Sequence, residues 1–122
     1  MALAKRVKVG GSHYHGYKLT VSGTTGDYIL DMICTDAAAV NGITIVPDAY
    51  GAGDHFKLEH LNANAGVVSV LAETVYNVGA NAAWLLDFAS LELMDANDKF
   101  RLTYTNVAST GMTVYTSVER IK

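Results

Sequence analysis

Cysteine and long apolar runs are scarce in this 122-residue chain, and each scarcity excludes a class of protein. The single cysteine, Cys34, excludes an intrachain disulfide framework. It lies in the apolar run of residues 28–34, which predicts a buried small hydrophobic side chain rather than a nucleophile. No uncharged apolar run is long enough to span a bilayer. We therefore expect a soluble protein, made in the cytoplasm, not secreted and without a membrane partner.

Charge is also scarce, since charged residues make up 17% of the chain against about a quarter in an average protein. The charges are unevenly placed: residues 1–18 hold four basic residues and no acid, whereas residues 19–98 hold eleven acids and only Lys57. Residues 99–122 are again basic. This pattern favours an oligomer with an acidic partner surface. A net charge of −3 and the lack of a basic–aromatic groove pattern argue against nucleic acid.

Strand signals dominate the chain. Phe100, Leu102 and Tyr104 alternate with polar residues, as expected of a strand with one buried face. Residues 67–76 fit either a helix or a strand, and their β-branched content favours a strand. Residues 36–41, with three alanines, predict a helical turn or a loop.

These patterns predict about eight short strands, separated by turn signals about every eight to twelve residues. The sequence therefore predicts an all-β, single-domain antiparallel β-sandwich with jelly-roll-like topology over residues 17–122. Residues 1–16 are predicted to form a short basic N-terminal arm, in which Val7 and Val9 could still make a short strand.

The sharpest metal-like signal is His13-x-His15, because alternate residues of a strand share one face. A third ligand would have to come from His55 or His60, and the sequence does not choose between them. A surface or interface pair of histidines is the favoured interpretation, so no metal and no cofactor are predicted. Asp95 and Asp98 lie in a predicted turn, where such side chains serve backbone geometry.

Other catalytic motifs are incomplete. Gly10-Gly11 and Gly51-Ala52-Gly53 lack the Lys-Ser/Thr of a phosphate loop, and no serine has a Gly-x-Ser-x-Gly context. No catalytic constellation is therefore recognised in the sequence.

The carboxy-terminal third carries a resemblance. Residues 91–103 contain the segment Asn97-Asp98-Lys99-Phe100-Arg101-Leu102. A last predicted strand of alternating residues ends in Val118-Glu119. This resembles the closing strands of small structural proteins of tailed-bacteriophage virions, where a Gly-Asp-Lys-hydrophobic-Arg-hydrophobic turn is followed by a Val-x-Val-x-Glu ending. Asn97 stands where that pattern usually has glycine.

The resemblance implies a non-enzymatic virion protein, synthesised in the host cytoplasm, that binds the capsid lattice as a decoration or cement protein. A tail, baseplate or fibre component is the first alternative. The implied partners are other copies of the chain, as a homotrimer, and the major capsid protein or another virion protein. The residues expected to bind that partner are Lys5, Arg6, Lys8, His13, Tyr14, His15 and Tyr17.

Two further hypotheses come from the residues themselves. One is a β-sandwich module that binds glycans or small ligands through exposed aromatic side chains such as Tyr50 or Trp84. The other is a cupin-like metalloenzyme centred on His13 and His15, although residues 16–20 lack the glutamate that the cupin pattern has there.

Overall fold

The chain is built of strands that pair with partners far away in sequence. A computed structural model describes residues 3–9, 13–49, 53–64, 66–76 and 84–120. The described residues form nine strands. Their bounds are β1 Leu3–Val9, β2 His13–Val21, β3 Gly26–Cys34, β4 Ala38–Pro47, β5 Asp54–Leu61, β6 Val67–Tyr76, β7 Trp84–Met94, β8 Lys99–Asn106 and β9 Met112–Arg120.

The pairings are nested. The hairpin of β5 and β6 is the innermost pair, and around it β4 pairs with β7, β3 with β8 and β2 with β9, all antiparallel. One sheet has the order β1-β3-β8-β5-β6 and the other the order β2-β9-β4-β7. A long hairpin rolled up into two facing sheets is a jelly roll. The prediction of an all-β, antiparallel β-sandwich is therefore confirmed.

Strand β1 is the exception to the antiparallel pattern, because it lies parallel to β3 at the edge of the five-stranded sheet. Residues 3–9, which the sequence assigned to an arm, are therefore hydrogen-bonded to the sandwich in this structure. Strand β2 begins at His13, four residues before the predicted start of the sandwich at residue 17. The added strand explains why nine strands are found where about eight were expected.

The core lies between the sheets and is filled by every second residue of the central strands. Phe100, Leu102 and Tyr104 of β8 are fully buried, as their alternation predicted. Phe56 packs edge-on against Tyr104, with ring centroids 4.7 Å apart. Cys34 is buried and not part of a disulfide, as expected. No helix long and apolar enough to cross a membrane occurs within the described residues.

Two ambiguous segments are both strands. Residues 67–76 form β6, which confirms the preference for a strand there. The predicted helical turn or loop at residues 36–41 is wrong for residues 38–41, because β4 begins at Ala38, whereas residues 36 and 37 do belong to the connection between β3 and β4. Val40 is fully buried and pairs with both β7 and β9. Pairing on two sides outweighs the high intrinsic helix propensity of alanine, as tertiary context commonly does.

The turn between β7 and β8 has left-handed backbone at Asn97, with φ of 69°. Asparagine tolerates that conformation better than most residues other than glycine, which accounts for Asn97 at the usual glycine position. The Asn97 N–H donates to the Cys34 carbonyl at 2.6 Å, and the Cys34 N–H donates to the Asp98 carbonyl at 2.9 Å. The turn is thereby attached to the end of β3.

A buried aspartate, Asp54, holds the loop between β8 and β9, at the other end of β8. Asp54, fully buried at the start of β5, accepts a hydrogen bond from the Tyr104 hydroxyl. Its other oxygen accepts the backbone N–H groups of Val107 and Ala108, at 2.7 and 3.1 Å. These bonds satisfy a buried carboxylate and fix the loop between β8 and β9 at the same time.

We predict that Asp54→Ala lowers the free energy of unfolding by on the order of 3 kcal/mol, because it leaves a buried hydroxyl and two N–H groups without their acceptor. Urea denaturation measures the change. The matched control is Asp48→Ala: Asp48 also accepts a backbone N–H, from Thr113 at 2.8 Å, but it is exposed. The control should cost less than about 1 kcal/mol. Equal losses in the two variants would contradict the role of Asp54.

Candidate functional site

The outer face of the four-stranded sheet carries two neighbouring rows of side chains of very different size. In one row Ser117 of β9 lies between Gly16 of β2 and Thr44 of β4. In the next row Tyr115 lies between Lys18 and Val46. The alternation along each strand places both rows on the solvent side, since the residues between them face the core.

An open groove of about 590 Å³ lies where the row of small side chains borders the row of larger ones. We call it the Tyr115 groove. The outward-facing residues that line it are Gly16, Lys18, Thr44, Val46, Tyr115 and Ser117. Its size is within the range of small-ligand sites.

Tyr115 is the exposed aromatic side chain of this groove, with 43% of its surface accessible. The Lys18 ammonium lies over its ring, 5.5 Å from the centroid, at a cation–π distance. The contact holds the ring at the wall of the groove and places a positive charge beside it.

Tyr17 lies between Gly16 and Lys18 on β2, and its side chain packs partly against the core. Burial raises the pKa of Tyr17 to about 12, with an additional electrostatic contribution from Cys34.

The outer face of the five-stranded sheet holds a charged cluster of a different kind. Asp31, only 2% exposed, accepts two hydrogen bonds from the Arg101 guanidinium, at 2.8 and 3.0 Å. The Lys99 ammonium lies 3.9 Å from the same carboxylate. The hydrogen bond to Asp31 raises the pKa of Arg101. The buried Asp31 carboxylate is therefore satisfied by two cations of β8, and the cluster joins β3 to β8.

His60 and Asp98 form a buried pair, with Nε2 and Oδ2 3.1 Å apart. The same Asp98 oxygen accepts the backbone N–H of Asp95, at 3.2 Å, as expected for a side chain that serves turn geometry. The pair is largely shielded from solvent: His60 is 3% and Asp98 7% exposed, and the His60 ring lies 5.8 Å from that of Phe100. It therefore closes this end of the core.

The structure separates the histidines that a metal site would need. His13 and His15 belong to β2, whereas His55 and His60 lie on β5 in the other sheet. Of these two, His55 is exposed and His60 is paired with Asp98. Within the described part of the chain, no group of three His, Cys, Asp or Glu side chains could hold a metal ion.

The predicted partner-binding residues lie on the first two strands. Lys5, Arg6 and Lys8 belong to β1, and Arg6 stands opposite Asp31 in the register with β3. His13, Tyr14 and His15 belong to the start of β2, next to the end of β9. The side chains of these six residues lie outside the described part, as do Tyr50 and the Trp84 side chain. Strands β1 and β2 belong to different sheets.

An exposed apolar strip occupies the edge strand β6. Val67, Val68 and Val70 are each more than half exposed, at 58%, 55% and 52%. Strand β6 pairs only with β5, since it lies last in its sheet. The sequence contained this signal as an uncharged, β-branched stretch from Val67 to Ala72, but only the sheet order shows that it lies at an edge.

Comparison with known proteins shows the fold and no family. No family model matches the chain, and no curated protein matches it. Among solved structures, the pre-peptidase C-terminal domain of a collagenase from Bacillus anthracis is 17% identical, with a TM-score of 0.51 over 94% of this chain and 93% of that one. This similarity supports the β-sandwich fold.

Two other solved structures have lower scores. PliG of Aeromonas hydrophila, a periplasmic inhibitor of g-type lysozyme, is 11% identical with a TM-score of 0.44, over 98% of this chain and 99% of that one. The structure of infectious bursal disease virus Gx strain includes a chain that is 8% identical with a TM-score of 0.40, over 93% of this chain and 32% of that one.

We predict that Tyr17 remains protonated at about pH 11, where most free tyrosine with its pKa near 10 is ionised. Because the folded state raises this pKa, the stability contributed by neutral Tyr17 is complete below about pH 10 and is lost as the pH rises through about 12. NMR of the tyrosine ring carbons measures the titration, and Tyr17→Phe assigns the signal. A midpoint near pH 10 for Tyr17 would contradict the prediction.

Proposed function

We propose that the protein is a non-enzymatic structural component of a bacteriophage virion, which self-associates as a homotrimer and binds the capsid lattice as a decoration protein. The observation that carries this proposal is the exposed valine strip of β6. Three neighbouring valines, each more than half exposed, are an apolar surface that a second copy would remove from water. The virion location rests on the resemblance of residues 91–103 and 112–121 to phage structural proteins. A tail, baseplate or fibre component is the alternative within this function.

The geometry of β6 favours contact through side chains over the addition of another strand. The pairing of β5 with β6 shifts register between Leu58 and Glu59 and again between His60 and Leu61. Such irregularities bend an edge and interrupt the regular row of backbone groups that a further strand needs. A closed oligomer can still bury the valines, whereas an open-ended sheet is disfavoured.

We expect Val68→Lys combined with Val70→Lys to convert the trimer to monomers without loss of the fold, because both valines are exposed in the subunit and the lysines place like charges in the interface. Native mass spectrometry gives the subunit number, and circular dichroism checks the fold. The matched control is Val107→Lys, at a valine 53% exposed in the loop after β8. A wild-type monomer, or a double variant that stays trimeric, would refute the proposed interface.

The basic residues of β1 are proposed to contact an acidic capsid surface. Since β1 is hydrogen-bonded to β3, substitution tests this better than deletion, which would remove a strand. A partner-binding role of His13, Tyr14, His15 and Tyr17 is part of the same proposal, and Tyr17 is the one of these four whose side chain is described, half-buried against the core.

Changing Lys5, Arg6 and Lys8 together to glutamine should weaken capsid binding at least about tenfold and reduce its dependence on salt, because three favourable charges are lost. Cosedimentation with purified capsids of the virus that carries the chain measures binding at several salt concentrations. Lys57→Gln, a half-exposed lysine of β5, is the control and should bind as the wild type does. Unchanged binding of the triple variant would refute the role of β1.

A second function is favoured by the Tyr115 groove. It is a glycan- or small-ligand-binding module, with Tyr115 as the described aromatic side chain that is open to a ligand. Aromatic side chains combined with a few polar groups are typical of small-ligand sites.

A further inference from the structure

We infer that the Tyr115 groove binds a glycan that carries a carboxylate, such as a uronic or sialic acid. The inference rests on the second function proposed above and names its site and its ligand class. In this assignment a sugar ring lies over Gly16 against the Tyr115 ring, and the carboxylate of the sugar contacts the Lys18 ammonium.

Gly16 is the first observation, because its described surroundings do not require a glycine. Its φ is not in the left-handed region. A Cβ built on it meets no atom within 4 Å. The β2–β9 register continues without a shift from His13 to Val21, so Gly16 marks no bulge. A glycine inside a strand costs stability and often marks a bulge, a bend or the close approach of a ligand or another backbone, and the unbroken register at Gly16 favours the last of these.

The row that contains Gly16 has the shape and the chemistry for a sugar ring. Ser117 lies directly opposite Gly16, and Thr44 lies beyond Ser117, so two hydroxyl groups border an open floor. Hydroxyl groups both donate and accept hydrogen bonds, as sugar hydroxyls do. Tyr115 adds an apolar ring face, as its partial exposure allows.

Charge selects an acidic sugar over a neutral one. Among the described residues that line the groove, Lys18 carries the one charge, and it is positive. The nearest acid along β9 on the same face is Glu119, whose carboxylate accepts a hydrogen bond from the Asn41 amide at 3.3 Å. A carboxylate held beside Lys18 gains a charge-assisted contact that a neutral sugar lacks.

NMR titration of the full-length, isotope-labelled protein tests the inference. The probes are tri-galacturonic acid and 3′-sialyllactose, with maltotriose and lactose as their neutral counterparts, each raised to about 10 mM. We expect one acidic probe to saturate and to shift the amide signals of Gly16, Lys18, Tyr115 and Ser117. The neutral sugars should bind at least about tenfold more weakly, and added salt should weaken the acidic probe selectively.

Two variants separate the site from the fold. Gly16→Val fills the floor of the groove, where space is open and a β-branched residue suits a strand, so binding should be lost while thermal stability is kept. Lys18→Gln should remove the preference for the acidic probe. The matched control is Thr20→Val, which places a valine on the same exposed face of β2 but outside the groove. It should bind as the wild type does.

The outcomes distinguish this inference from the function on which it rests. A sugar that binds and shifts signals elsewhere would overturn the Tyr115 groove as the site but keep the glycan-binding function. Absence of binding for all four sugars would overturn both this inference and the glycan-binding form of the second function. Binding that Gly16→Val leaves intact would also overturn the assignment. None of these results depends on the oligomeric state or on capsid binding.

Discussion

Antiparallel pairing between strands far apart in the chain is the constraint on which the rest of this structure depends. The pairs of β2 with β9 and of β3 with β8 join strands from the first third of the chain to strands from its last third. Forming such contacts costs a large loop-closure entropy before the favourable contact energy is gained. The fold is therefore expected to form slowly for its size. Once formed, the pairing sets which residues face the core, because side chains alternate along every strand.

Buried acids attach the connections to that framework. Asp54 holds the loop after β8, Asp98 holds the turn before it, and Asp31 joins β3 to β8 through Arg101. Each carboxylate is buried and each has charged or N–H partners, so its desolvation is offset. Buried acids of this kind also occur in catalytic sites, but these three carboxylates form hydrogen bonds that hold the strands and connections of the fold. The chemistry left for recognition therefore lies on the surface.

The two surfaces on which the proposals rest lie on different sheets. The valine strip is on the edge of the five-stranded sheet, whereas the Tyr115 groove is on the outer face of the four-stranded sheet. A subunit could therefore self-associate through β6 and keep the groove open to a ligand. The strip is wholly apolar, whereas the groove combines a mostly apolar lining with hydroxyl groups and one positive charge, which suits protein contact in the first case and a small acidic ligand in the second.

The sequence by itself determined the fold class, the burial of Cys34 and the alternating core of β8, because these follow from local patterns of period two. It also anticipated the turn around Asn97, whose side chain tolerates a left-handed backbone. It did not determine that residues 38–41 are strand, that β1 pairs in parallel with β3, or that β6 is an edge. Nor could it place Gly16 beside Ser117 and Thr44, which are 101 and 28 residues away in sequence. Those facts depend on which strands become neighbours, and only the tertiary structure decides that, because pairing partners are chosen by burial of the whole core rather than by any one segment.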